Sequence, residues 1–164
     1  VFRGLNAAMD RRGGGSCFFL GSTEENLARI RERMAAEFPA VRVAGTFAPP
    51  FRDVFTPEDD AAMLAAVAAA RPDVLWVGMT APKQEKWIHR NRARLADVPC
   101  LAAVGAVFDF FTGRVRRSHP LFQRLGLEWL PRLVRQPRRL WRRNFVSNPR
   151  FLLRVIGARL GGRG

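Results

Sequence analysis

Three polar side chains stand in a row at Lys83-Gln84-Glu85, directly after the turn-forming Thr80-Ala81-Pro82 and five residues beyond the apolar run "DVLWV" at 73–77. Proline favours the first position of a helix, so Pro82 is expected to open one. The amides of Lys83, Gln84 and Glu85 then lie at its positive end, where a phosphate or carboxylate is held well. Lys83 adds a mobile positive charge. Gln84 both donates and accepts, as recognition of a base or sugar requires, and no local structural role explains it. Glu85 also fits as an ordinary first-turn acid. A second polar group, Asp109, is set between Phe108 and Phe110-Phe111. A carboxylate among three phenyl rings must be hydrogen-bonded to be tolerated. It caps the following turn or accepts a bond from a ligand hydroxyl or N–H.

The elements that position these groups follow from the apolar pattern. "SCFFLGS" (16–22), "VRVAG" (41–45), "DVLWVG" (73–78) and "CLAAVGAVF" (100–108) read as strands. Between them lie helices. The first, over 22–38, takes Ser22 and Glu25 as a capping box, repeats Leu27, Ile30, Met34 and Phe38, and stops at Pro39. The second, over 56–70, has Thr56 as N-cap, Pro57 at its first position and the acids Glu58, Asp59 and Asp60 in its first turn. The third covers 82–95, and a further helix is expected at 4–12. The strands are continuously apolar rather than alternating. That predicts an α/β fold, a Rossmann-like parallel sheet with helices on both faces.

In such a sheet ligands bind along the edge where strands end. The loops there are "GST" (21–23), "GTFAPPF" (45–51), "GMTAPKQE" (78–85) and "GAVFDFFTG" (105–113), each opening on Gly. That is plain turn chemistry or room for a ligand to approach. No Gly-x-Gly-x-x-Gly follows a strand, no phosphate loop of the Walker type occurs, and no Asp-x-Asp leaves a strand to hold a metal. His89 reads as a helix-surface residue, and His119 carries no pattern. Cys17 and Cys100 read as buried, reduced thiols, which suits a cytoplasmic setting.

Charge divides the chain. Residues 114–164 carry 14 Arg against the single acid Glu128, so most of the net +14 lies there, and residues 1–113 are close to neutral. The reading is therefore an α/β body over 1–113 and a basic helical appendage over 114–164. Pro131, Pro137 and Pro149 break the appendage into short helices that mix Leu, Trp and Phe with Arg. Such a segment seeks an anionic membrane surface, a diphosphate or nucleic acid. Alternation of Arg with apolar anchors suits the membrane better, so no nucleic acid is expected. No run of 18 apolar residues is present. The exposed appendage makes a homo-oligomer plausible.

"FFLGST", "VAGTFAPPF", "PDVLWVGMTAPKQEKWI", "AVGAVFDFFTGRVRRSHPLFQRLGLEWLPRLVRQPRRLWRRN" and "NPRFL", in that order, resemble the WecG/TagA/CpsF family of bacterial glycosyltransferases. The resemblance implies transfer of an N-acetylmannosamine-type or related sugar from a UDP-sugar to a polyprenyl-diphosphate-linked acceptor. It implies no metal and no cofactor, and a peripheral position on the inner face of the membrane. Teichoic acid or exopolysaccharide would be the product. By motif, Thr80, Gln84 and Asp109 would line the nucleotide-sugar pocket, and Arg132, Arg139 and Arg142 would hold the diphosphate. The family's N-terminal portion, with an Asp proposed as base, would lie before Val1, since nothing in residues 1–15 matches it. Rival readings are a basic membrane- or nucleic-acid-binding module and a catalytically incomplete remnant.

Overall fold

The structure, a computed structural model, describes residues 1–114. The basic segment beyond Arg114, with Arg132, Arg139 and Arg142, lies outside the described residues.

Four strands, β1 (Gly15–Gly21), β2 (Val41–Phe47), β3 (Val74–Gly78) and β4 (Cys100–Ala103), form one sheet in the order β2-β1-β3-β4. Every pairing is parallel, as the unbroken apolar runs require. The helices are α1 (Phe2–Arg11), α2 (Glu24–Glu37), α3 (Pro57–Ala70), α4 (Lys83–Asn91) and the short α5 (Val107–Phe111).

Alternation along β1 and β3 divides the core between the two faces. Cys17, Phe19, Val74 and Trp76 pack with Phe2 of α1, with Leu27, Ile30 and Met34 of α2, and with Phe108 and Phe111 of α5. Phe18, Leu20, Leu75 and Val77 pack with Met63, Leu64 and Val67 of α3 and Trp87 of α4. The first face is rich in aromatic rings. Phe2 lies 4.8 Å from Trp76 and 5.0 Å from Phe111, and Phe19 lies 5.5 Å from Phe108, at tilted or edge-on angles that suit ring quadrupoles. Cys17 is fully buried in β1, and burial pushes its thiol up to about 12, so it stays protonated and unreactive. Both cysteines are free; Cys100 is only half-buried.

The local signals of α3 hold. Thr56 and Asp59 form a reciprocal capping box, with Pro57 at the helix start. Three other expectations need correction. Thr23, not Ser22, caps α2: its hydroxyl accepts from the N–H of Asn26, while Ser22 adopts a left-handed backbone with φ 64°. Pro82 is the N-cap of α4 rather than its first residue, and the helix ends at Asn91, with 92–95 tightening to a 3-10 turn. The fourth strand stops at Ala103, and the chain turns at Gly105 (φ 54°) into α5. Asp109 therefore sits on a helix rather than directly behind a strand.

The glycines of the strand-end loops answer mainly to packing. Gly45 lies within β2, where a Cβ would come 2.6 Å from the Phe18 ring. A Cβ on Gly78 would come 2.3 Å from the Phe108 ring. Gly21 pairs with Gly78; at φ 121° its Cβ would lie 2.4 Å from the Gly78 carbonyl oxygen. No other residue type fits there without displacing backbone.

Candidate functional site

From β1 the chain runs to its neighbour β2 on one side, then crosses back past β1 to β3 on the other. The switch in direction falls between β1 and β3, and the crevice outside their carboxyl ends is the expected ligand position in an open parallel sheet. Two sets of polar groups meet at this edge.

The first surrounds Asp109. Asn26, in the first turn of α2 and 1% exposed, donates through Nδ2 to Ser22 Oγ (2.8 Å) and to Asp109 Oδ1 (3.2 Å). Its Oδ1 accepts from the Thr112 hydroxyl at 2.7 Å. This satisfies the requirement that the sequence places on a carboxylate among phenyl rings. Asp109 is half-buried, and only its Oδ1 has a hydrogen-bond partner among the described residues. The sequence reading does not include Ser22, Asn26 or Thr112 in the site. Only an asparagine at the third residue of a helix, in place of the capping-box Glu or Gln, signals the cluster beforehand.

The second set centres on Gln84, 5% exposed. Its Oε1 accepts from the Gly105 N–H (2.9 Å) and the Met79 N–H (3.3 Å), and its Nε2 donates to Glu85 Oε1 (2.9 Å). Here is the structural role that the sequence does not reveal: Gln84 ties the loop after β3 to the loop after β4. Thr80 is exposed at the mouth of this loop, and its carbonyl accepts the Lys83 N–H at 2.8 Å. One of the three helix-start amides expected to face a ligand is thereby engaged. Glu85 is exposed. Lys83 Nζ donates to the Arg52 carbonyl and lies 3.7 Å from the centre of the Phe55 ring. Its partial burial lowers its pKa, opposed by the charges of Asp53 and Asp59. Lys83 thus secures the loop after β2 rather than projecting freely.

The acids at the start of α3 are engaged within the protein. Asp59 pairs with Arg52 (3.3 Å); Asp60 accepts from Trp87 Nε1 (2.9 Å) and pairs with Arg90 (3.2 Å). Among the described residues no group of three or more His, Cys, Asp or Glu is placed to hold a metal ion.

The structure thus brings Thr80, Lys83, Gln84, Glu85 and Asp109 to one edge of the sheet, with Gln84 and Lys83 largely occupied by the protein itself. Residues 1–164 match the family described as "Glycosyl transferase WecG/TagA/CpsF family". The chain belongs to that family. Among curated proteins it is similar to the N-acetylglucosaminyldiphosphoundecaprenol N-acetyl-beta-D-mannosaminyltransferase of Bacillus spizizenii (strain ATCC 23059 / NRRL B-14472 / W23), 33% identical over 139 residues. It is also similar to the protein of the same name from Bacillus subtilis (strain 168), 31% identical over 139 residues. Each alignment covers 85% of this chain and 51% of the relative. The chain therefore spans about half the length of these WecG/TagA/CpsF relatives. Among the described residues no helix is long and apolar enough to cross a membrane.

Proposed function

We propose that this WecG/TagA/CpsF member binds a UDP-sugar at the carboxyl edge of its sheet and serves transfer of the sugar to a polyprenyl-diphosphate-linked acceptor. The observation that carries the reading is the family match along the whole chain, together with the Asp109 carboxylate at the β1/β3 switch point, one oxygen anchored and the other without a partner among the described residues. The donor sugar is of the N-acetylmannosamine type or a related hexose, by analogy with the names of the relatives. The reaction is a single displacement with inversion and without a metal. The acceptor hydroxyl oxygen bonds to the anomeric carbon, the bond from that carbon to the phosphate oxygen breaks, and UDP leaves with the electron pair. The hydroxyl proton passes to a general base. Arg132, Arg139 and Arg142 offset the charge growing on the diphosphate, a task for which the forked guanidinium is well shaped.

A peripheral position on the inner face of the membrane follows from a lipid-linked acceptor and the basic segment beyond residue 113. Phe51 and Val54 are fully and largely exposed on the loop after β2, at the same edge, which favours an apolar neighbour there.

Calorimetric titration of the whole chain with UDP and with ADP tests the donor site. Saturable UDP binding that ADP does not match, and that Asp109→Asn weakens, is the expected result. Equal binding of both nucleotides, or of neither by folded protein, overturns it. Incubation with UDP-N-acetylmannosamine and vesicles carrying the lipid-linked N-acetylglucosamine acceptor then separates transfer from binding alone.

A further inference from the structure

We propose that Asn26 is a positioning residue that aims Asp109 at the nucleotide-sugar donor. This rests on the reading of Asp109 as a donor-binding group.

Every hydrogen-bonding position of the Asn26 amide that faces the protein is used. Nδ2 reaches both Ser22 Oγ and Asp109 Oδ1, and Oδ1 receives the Thr112 hydroxyl. The orientation is fixed by charge: turned over, the amide would set its oxygen against a carboxylate oxygen 3.2 Å away. Burial at 1% exposure keeps water from substituting for these bonds. Three parts of the fold converge here: the turn leaving β1, the first turn of α2, and α5 with the residue that follows it. The turn is held at an unfavourable backbone angle by Ser22, a kind of strain that concentrates at binding sites. The outcome is directional. Asn26 holds one oxygen of Asp109, and the other has no partner among the described residues. A carboxylate that is pinned in this way meets a donor hydroxyl or N–H without first losing rotamer freedom.

A polar plug that merely fills space would have the same bonds but not the same chemistry, and charge separates the two. Asn26→Asp puts a second carboxylate against Asp109. Two ionised carboxylates at this distance repel, and that repulsion makes the pair take up one proton more readily as pH falls. Among the described residues, the other charged groups at α5 are Arg3 and Arg33, both over the Phe111 ring and both paired with Glu37.

The experiment titrates the full chain with UDP at pH 7.5 and pH 5.5, as wild type, Asn26→Asp, Thr112→Val and Asp109→Asn, with circular dichroism as the check on folding. Asn26→Asp is expected to bind about tenfold more weakly than wild type at pH 7.5, with the ratio narrowing to about threefold at pH 5.5 as the pair takes up a proton. Thr112→Val, which frees Asn26 Oδ1 without adding charge, should weaken UDP about threefold at both pH values. It decides the matter if Asn26→Asp does not fold. Folded Asn26→Asp that matches wild type, or is weakened equally at both pH values, overturns the proposal. So does unchanged binding by Thr112→Val. Absence of UDP binding in wild type, or unchanged binding by Asp109→Asn, overturns the donor-site reading itself and this inference with it.

Discussion

The two ends of the sheet each carry a serine, a carboxylate and a set of short hydrogen bonds, yet they do different things. At the amino end, Asp73 Oδ2 accepts from the Ser16 N–H at 2.7 Å and from its hydroxyl at 2.6 Å, and the Asp73 N–H donates back to Ser16 Oγ at 3.0 Å. The clasp closes on itself, with both residues on ordinary backbone. At the carboxyl end, Ser22 is left-handed and Asn26 is buried, and Asp109, half-buried where Asp73 is exposed, is held through one oxygen by the Asn26 amide. One end uses its polar groups to hold strands together. The other holds a half-buried carboxylate still at the switch point through a buried amide.

Variants test that contrast, beginning with the largest effect. Gly21→Ala drives a Cβ into the Gly78 carbonyl and should cost about 3 kcal/mol or more in thermal or denaturant unfolding. Gln84→Leu leaves the N–H groups of Met79 and Gly105 without their acceptor. It should cost about 2 kcal/mol by the same measurement and loosen UDP binding as the two loops part. Ser16→Ala removes a hydroxyl from the amino-end clasp, for about 1 kcal/mol, and should leave UDP affinity as it is. A change in affinity there would erase the distinction between the ends. The smallest effect concerns acid. Hydrogen bonds from Ser16 lower the Asp73 pKa below its ordinary 3.8. Its contribution is present above that value and fades as pH falls through the folded-state pKa. Asp73 is exposed, so solvent screening keeps the contribution below about 0.5 kcal/mol. Asp73→Asn should flatten the stability curve slightly below pH 4 and nowhere else, as urea unfolding across pH would show.

What the sequence makes legible depends on how far apart the partners are. The N-cap of α3 is read correctly because Thr56, Pro57 and the first-turn acids stand side by side in the sequence. The parallel sheet is read because each strand is itself continuously apolar. The cap of α2 slips by one residue because Ser22 and Thr23 both suit the task and only the backbone angle separates them. Gly78 reads as turn chemistry or ligand space, while the ring that needs the room, Phe108, comes from thirty positions later. Gln84 reads as unexplained because its second partner, Gly105, follows two elements further on. Asn26 does not enter the sequence reading because Asp109 and Thr112 reach it only through the fold. The sequence names candidates where the motif is dense; the residues that contact them across the fold it does not name.

Cys17 gives the molecule a clock. It sits on β1, with β2 on one side and β3 on the other, fully enclosed and with its thiol held protonated. An alkylating reagent reaches it only when the sheet comes apart. Its rate of labelling in native buffer therefore counts openings of the central strand, one covalent mark at a time. A ligand held at the β1/β3 crevice would slow that count in proportion to its occupancy, without any assay of sugar transfer.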